Sequence, residues 1–316
     1  MKAIRFHEYG DPEVLRLDEV DLPTPGEGQV RVRVAATSFN GVDANIRAGR
    51  MQGPMPLDLP HVPGLDVAGT VDALGDGVDG LQEGDPVIGF LPFGADGATA
   101  EYVVVAAAGL AQAPTSIPLA DAAALPLVGL TAWQALFEHA NLQAGQRILV
   151  NGANGAVGGY AVQLASSAGA HVIATATART REQVTTQGAD EVIDHTAGDL
   201  TAAVREPVDV LLNLAPISPE EFAALTGVVC DGGVIVNTTV WMPAPSDESR
   251  GVRGIDLFVR SDATQLAELA ARVDRGELTV DIAERVAMTD LASIHTRAAD
   301  GTLTGKVVVL PTLKVG

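Results

Sequence analysis

Apolar residues are laid out along this chain in three textures. Over the first hundred residues they fall in short runs, at 2–6, 29–35, 66–74, 86–90 and 100–105, broken by Gly, Pro and Asp. Turn signals between strands this short predict a small barrel-like β domain. Pro114 to Pro118 reads as a hinge, followed by an Ala- and Leu-rich helical region at 121–137, interrupted at Pro126 and Gly129. Buried-strand runs then alternate with helical stripes. Strands are expected at 148–150, 171–175, 191–193, 208–212, 234–238 and 255–259, with helices carried by Ala161, Val162, Leu164 and Ala165 and by residues 219–226. That alternation predicts an α/β doubly wound parallel sheet. In the tail, Leu266, Leu269, Ala270 and Val273 make an amphipathic helix over 264–275, and 306–310 is a closing strand. The expected division is 1–117, 118–260 and 261–316.

Residues 147–175, RILVNGANGAVGGYAVQLASSAGAHVIAT, read as strand, glycine turn, helix and second strand. This is the context a dinucleotide fingerprint requires. In the G-x-G-x-x-G frame Ala153 stands at the first position, Gly155 and Gly158 hold the second and third, and Gly152 precedes them. Gly155 presents no side chain to a pyrophosphate, and Gly158 lets the helix pack closely on the strand. Ala156 and Val157 open a helix whose free N–H groups and dipole attract anions. Glycine triplets also form purely structural turns; the surrounding βαβ unit is what points to a nucleotide.

The end of the second strand bears on which nucleotide. An NAD-preferring site places Asp or Glu about 20 residues past the glycines. Thr175 stands there, and no acid follows until Glu182. The turn instead carries Thr177, Arg179 and Arg181, whose hydroxyl and guanidinium groups suit a 2′-phosphate. The cofactor expected is NADP(H), with Arg179 as first candidate; the alternative is that both arginines are solvated residues opening the next helix.

Composition narrows the partners. With 47% hydrophobic and 19% charged residues, the 316-residue chain has the make-up of a soluble α/β protein. Its 40 acidic and 20 basic residues give a net charge of −20, which argues against nucleic-acid or anionic-membrane partners. The single cysteine, Cys230, excludes an internal disulfide and a cysteine-cluster metal site. MKAIRFHEYG lacks the apolar core of a signal peptide, and no apolar run reaches the ~18 residues of a membrane span. The location expected is cytoplasmic.

Eight motifs in order resemble the zinc-independent medium-chain dehydrogenases/reductases, most closely the quinone oxidoreductase (zeta-crystallin-like) branch. They are SFNGVDANIRAG (38–49), PGLDVAGTVDALGDGV (63–78), EGDPVIG (83–89), GLTAW (129–133), NGANGAVGGYAVQLA (151–165), GADEVID (188–194), LAELAARVDRGEL (266–278) and GKVVVL (305–310). The resemblance implies a chaperonin-10-like β-barrel domain, interrupted by a Rossmann domain and completed by the C-terminal segment. Zinc alcohol dehydrogenases carry a cysteine near Ser38–Asn40 and Gly-His-Glu where this chain has Gly64-Leu65-Asp66. Leu65 cannot ligate a metal, and the six histidines show no i, i+4 pairing, so no metal is expected. Short-chain reductases need Tyr followed by Lys four residues later; Tyr9, Tyr102 and Tyr160 are followed by Glu13, Ala106 and Leu164.

The chemistry that fits is direct hydride transfer from NADPH to a quinone or an activated alkene, without metal or flavin. By the resemblance, the Asn-x-x-Asp segment, Asn40 and Asp43, lies at the mouth between the domains. Asn40 then meets a carbonyl oxygen or the nicotinamide, and Asp43 orients neighbours or relays a proton. Both residues are also preferred N-caps for a helix beginning near Val42. Thr131 matches a nicotinamide-side position, and its hydroxyl equally suits a bond to a helix carbonyl. His195 stands where relatives place a tyrosine beside the adenosine phosphate; a surface histidine is the other reading. Asn213 and Thr238 end strands at the carboxyl edge, and Lys306 of GKVVVL is also assigned to the cofactor. Asn45 replaces a tyrosine common in quinone oxidoreductases. Asn45, Phe90, Phe93 and Trp241 are the substrate-wall candidates, with Met51 to Met55 and Met242 as further apolar residues. Two rivals stay open: an alkenal or enoyl double-bond reductase, and a non-catalytic NADPH-binding sensor or structural protein. A homodimer paired through strand 255–259 is also expected.

Overall fold

A computed structural model describes residues 1–53, 56–239 and 241–312. The chain separates into two compact units, Met1–Leu127 with Ser261–Gly316, and Val128–Arg260. The first boundary falls inside a helix, beyond the Pro114 to Pro118 hinge. The N-terminal part of the first unit holds strands β1 (Lys2–Phe6), β2 (Leu15–Glu19), β3 (Gln29–Ser38), β4 (Asp66–Leu74), β5 (Pro86–Phe90), β6 (Tyr102–Ala106) and β7 (Leu110–Gln112). Helix α1 (Gly41–Arg47) follows β3, and α2 (Pro126–Trp133) carries the chain out of this unit.

The second unit holds β8 (Arg147–Asn151), α3 (Ala156–Ser167), β9 (His171–Ala176), α4 (Arg181–Thr186), β10 (Glu191–Asp194), α5 (Leu200–Ala203), β11 (Val208–Asn213), α6 (Pro219–Thr226), β12 (Val229–Asn237) and β13 (Arg253–Asp256). The return segment adds α7 (Ala263–Asp274), β14 (Glu284–Ala287), α8 (Leu291–Ala299) and β15 (Val307–Leu310) to the first unit.

In the first unit, β14-β15-β3-β4-β5-β7 form one sheet, with β6 also paired to β3. Strand β3 alternates as its sequence requires: Val30, Val32 and Val34 turn inward onto Val67, Val71 and Val87. In the second unit the six strands are all parallel in the order β10-β9-β8-β11-β12-β13. Counted from β8 this is 3-2-1-4-5-6, the doubly wound order, whose carboxyl edge is where such sheets bind ligands. The first two textures read from the sequence are thus a small β domain and a doubly wound parallel sheet, and the third, the tail, belongs with the first unit.

Several elements depart from expectation. Strand β2, LRLDE, is largely exposed and lacks an apolar run, so it left no hydrophobic signal. Strands β7 and β14 are only three and four residues long. Gly129 does not interrupt α2, because neighbouring Leu127, Val128 and Leu130 are buried all round it. The strand expected at 255–259 runs Arg253–Asp256 instead; Leu257 is buried beyond its end and Phe258 is exposed. Among the described residues no helix is long and apolar enough to cross a membrane.

Candidate active site

Each unit gathers its own polar constellation. In the first, the chain leaves β3 at Ser38, passes Phe39 and enters α1 at Asn40, while Asp66 opens β4 and Lys306 precedes β15. These ends meet in the interior. The Lys306 Nζ donates to Asn40 Oδ1 at 2.6 Å and to the Phe39 carbonyl at 3.2 Å, and lies 3.5 Å from Asp66 Oδ2. Asp66 Oδ2 also accepts from Ser38 Oγ and from Asn40 Nδ2 at 2.8 Å. Its Oδ1 accepts the Leu127 N–H at 2.7 Å, in the first turn of α2. Asp66 is 0% exposed and Lys306 4% exposed, so neither charge has water as its main partner. A buried ion pair is sustained only where hydrogen bonds saturate it, as here.

Asn40 holds the N-cap position of α1, but its side chain faces Lys306 and Asp66 rather than capping the helix. Asp43 reaches back instead, its Oδ2 accepting the Asn40 N–H at 2.8 Å. Burial pushes the Asp43 carboxyl up to about 7, against the Asn40 N–H that stabilises its anion. The charge of Asp66 adds to the rise; Lys306 and the Gly64 N–H oppose it. A carboxyl titrating near neutrality can hold or release a proton there. Burial pulls the Lys306 ammonium below its usual range, while Asp66 and Asp43 hold it up.

These residues do not fit a catalytic zinc. The cation among the carboxylates is the lysine ammonium, and Leu65 lies buried beside Asp66. Among the described residues no three His, Cys, Asp or Glu side chains are grouped to hold a metal ion.

In the second unit, β8 runs into the glycine turn and α3. Gly152 has φ +94°, left-handed backbone that favours glycine. A Cβ on Gly158 would sit 2.4 Å from the Gly152 carbonyl oxygen, so only glycine lets α3 start this close to the turn. Gly155 is exposed at the N-cap, and no side chain caps α3. The first-turn N–H groups, those of Ala156 and Val157 among them, are left for an anion. A cavity of about 780 Å³ opens beside this turn, lined in part by Asn151, Gly152, Gly155, Thr175, His195 and Leu214.

The other expected site residues fall as follows. Thr175 is buried; its hydroxyl accepts the Gly152 N–H at 2.8 Å and donates to Asn151 Oδ1 at 3.1 Å, which turns it inward, away from a 2′-phosphate role. Thr177 bonds within its own turn, its N–H and hydroxyl both meeting Thr180 Oγ1. Arg179 is exposed in that turn. Thr238 donates its N–H to the Asn213 carbonyl, and Asn213 is buried. Thr131 is buried in α2. Lys306 has its three donors committed inside the first unit, which leaves none for a nucleotide phosphate. Phe90 and Phe93 meet edge to face at 5.4 Å, Phe90 buried and Phe93 half-buried. Asn45 accepts from Arg50 at 3.2 Å. Trp241 is 61% exposed and Met51 is buried, whereas Met55 lies outside the described residues. The residue not singled out beforehand is Asp66, to which Ser38, Asn40, Lys306 and α2 all connect.

Comparison with known proteins agrees with this architecture. The alcohol dehydrogenase GroES-like domain matches residues 26–115 and the zinc-binding dehydrogenase family matches 187–309. The chloroplast envelope quinone oxidoreductase homolog of Arabidopsis thaliana is 33% identical over 327 residues, covering 98% of each chain. Among solved structures, an NAD-dependent alcohol dehydrogenase superposes with a TM-score of 0.90 at 28% identity, covering 99% of this chain and 100% of its own. A mycobacterial protein in complex with NADPH superposes with a TM-score of 0.84, also at 28% identity, over 98% of this chain and 100% of its own. With a parallel dinucleotide-type sheet, a GroES-like unit and a full-length relative of this identity, the chain belongs to the medium-chain dehydrogenase/reductase family, in the company of the quinone oxidoreductases.

Proposed function

We propose that the protein is an NADPH-dependent oxidoreductase that reduces quinones or activated alkenes by direct hydride transfer, without zinc. The observation that carries this reading is the uncapped N-terminus of α3 over the Gly155 turn, at the carboxyl edge of a parallel sheet and beside a nucleotide-sized cavity. NADPH, when bound, supplies the hydride. The N–H groups opening α3 receive its pyrophosphate. Exposed Arg179 offers a guanidinium to the 2′-phosphate, and no carboxylate follows β9 before Glu182 to repel one. Reduction of a quinone to its hydroquinone consumes one hydride from NADPH and one proton, which together supply the two electrons and two hydrogens of the product. Asp43, titrating near neutrality and tied to the Asn40 backbone, is the candidate proton reservoir. Asn40 is fixed in turn by Lys306 and Asp66. Asn45, engaged by Arg50, supplies no phenol, which weakens the case for quinones alone and leaves alkenes open as the other substrate class. The free edge of β13 is the proposed homodimer seam, and the cytoplasm the proposed location; a monomeric mass in solution would remove the dimer.

The deciding experiment is anaerobic oxidation of NADPH and of NADH with a para-quinone and with an α,β-unsaturated ketone, chelator present throughout. NADPH-selective turnover is expected with at least one acceptor. Arg179→Ala should raise KM for NADPH about tenfold while leaving NADH unchanged, the scale of one exposed charge-assisted contact. NADH preference in the wild type would overturn the 2′-phosphate assignment, and tight NADPH binding without turnover on either acceptor would favour a non-catalytic binding protein.

A further inference from the structure

Strands β8, β11, β12 and β13 end on Asn151, Asn213, Asn237 and Asp256, and these four stand in register across the carboxyl edge. Thr175, one residue from the end of β9, continues the row beside Asn151, following Val150 paired with Ala174. Their side chains form one continuous hydrogen-bonded chain. Asn237 Nδ2 donates to Asp256 Oδ1 at 3.1 Å, Asn213 Nδ2 to Asn237 Oδ1 at 3.1 Å, and Asn151 Nδ2 to Asn213 Oδ1 at 2.9 Å. Thr175 Oγ1 donates to Asn151 Oδ1 at 3.1 Å and accepts the Gly152 N–H at 2.8 Å.

The direction of this chain is set by backbone groups. Asn237 Oδ1 also accepts the Thr239 N–H, and Asn237 Nδ2 also meets the Thr239 and Met242 carbonyls, so its amide cannot be flipped. Asn213 Nδ2 meets the Ala215 carbonyl, which fixes the second amide the same way. Each side-chain link of the row therefore runs toward Asp256, the last of them a shared bond, because the two hydrogens of Asn237 Nδ2 also serve the Thr239 and Met242 carbonyls. A one-way chain polarises each bond in it, and a carboxylate at the accepting end strengthens the effect. The three amides and Thr175 are buried, where that polarisation is least screened, while Asp256 is exposed.

We propose that Asp256 is a positioning residue for the nucleotide: it anchors a one-way amide chain that holds the Gly152 turn in its phosphate-receiving shape, about 14 Å away across three strand spacings. The proposal rests on the nucleotide reading above. The turn depends on it because Gly152 sits in left-handed backbone and the Thr175 hydroxyl is what its N–H meets.

The test combines nucleotide Kd for NADPH and NADH with amide exchange at Gly152 in the unliganded protein, for wild type, Asp256→Ala, Thr175→Val and the double variant. Each single change is expected to weaken nucleotide binding about fivefold, and the double by about the same factor. Independent sites this far apart would multiply to about twenty-fivefold. Gly152 exchange should speed about fivefold in Asp256→Ala, and Asp256→Asn, which keeps an oxygen acceptor, should restore most of both. Because Asp256 is exposed, its replacement leaves the core packing in place. A wild type that binds nucleotide, with Asp256→Ala changing neither Kd nor Gly152 exchange, overturns this proposal alone. Multiplying effects in the double variant overturn it too. A wild type that binds neither nucleotide overturns the nucleotide reading and this proposal with it.

Discussion

The two units bury polar groups by opposite means. The first brings a lysine and two carboxylates into its interior and saturates them with Ser38, Asn40 and backbone N–H groups. The second buries three neutral amides and a hydroxyl and leaves the one acid of the row, Asp256, at the surface. Both arrangements satisfy their donors and acceptors, but they respond differently to a proton. In the charged cluster the Asp43 carboxyl titrates near neutrality, and Asp66 and Asp43 hold up the Lys306 ammonium against its burial. The amide row has no proton to exchange at ordinary pH and can only hold a shape. That division suits the proposed function, which needs a proton in one region and an ordered nucleotide in the other.

The largest effect expected is from Lys306→Met. It removes the cation and leaves Asp66 buried with its negative charge, together with Asn40 Oδ1 and the Phe39 carbonyl deprived of a donor. Breaking a buried pair from one side costs about 3–5 kcal/mol. Urea denaturation should show that loss, and adding Asp66→Asn should recover part of it. A loss under 1 kcal/mol would mean that the charges are not interdependent, and the contrast between the units would collapse.

Next in size is the pH dependence of Asp43. Its folded pKa, about 7, lies above the ordinary 3.8, so the folded state holds the proton more tightly. The stability it contributes is full below pH ~4 and is lost as pH rises through 7; three units correspond to about 4 kcal/mol as an upper figure. Buried His295 works the other way. Burial and Arg47 push its pKa down to about 3, so its contribution is present above 6.5 and lost as pH falls toward 3. The two slopes oppose each other over pH 4–7, which makes the difference between Asp43→Asn and wild type the informative quantity. That difference should move in favour of the variant as pH rises from 4 to 8. A flat difference would place the Asp43 carboxyl at an ordinary pKa.

The legible and illegible parts of this chain divide along similar lines. The doubly wound sheet could be read from alternating strand and helix patterns, because every strand of it carries apolar residues. Strand β2 could not, since it is largely exposed. The glycine turn was legible from spacing, and Gly152, Gly155 and Gly158 occupy it. Thr175 was placed by counting from those glycines, but counting says nothing of where a hydroxyl points, and here it points into the amide row. Asp66 was the harder residue. The signal was a lone acid in VPGLDVAGTV and a lone lysine opening VVVL, in a chain with only three lysines. Each is a charge stranded in an apolar strand run and demands a partner. Their distance along the chain hides that they are each other's.

The smallest effect expected is from Asn213→Leu, at the centre of the amide row. Leucine keeps the branched four-heavy-atom skeleton of asparagine with somewhat bulkier ends, so the change is mainly chemical. It leaves Asn151 Nδ2 and the Ala215 carbonyl without their partner, while Asn237 Oδ1 keeps the Thr239 N–H and hydroxyl. The one buried donor left unpaired, Asn151 Nδ2, costs about 1–3 kcal/mol, and the Ala215 carbonyl, only part-buried at the cavity, adds little. Because no ionisable side chain touches Asn213 directly, that cost should stay constant from pH 5 to 9 in denaturation experiments. A cost that changed with pH would have to enter through Asp256, the only acid in the row, and would mean that the second unit, too, keeps its shape with a charge.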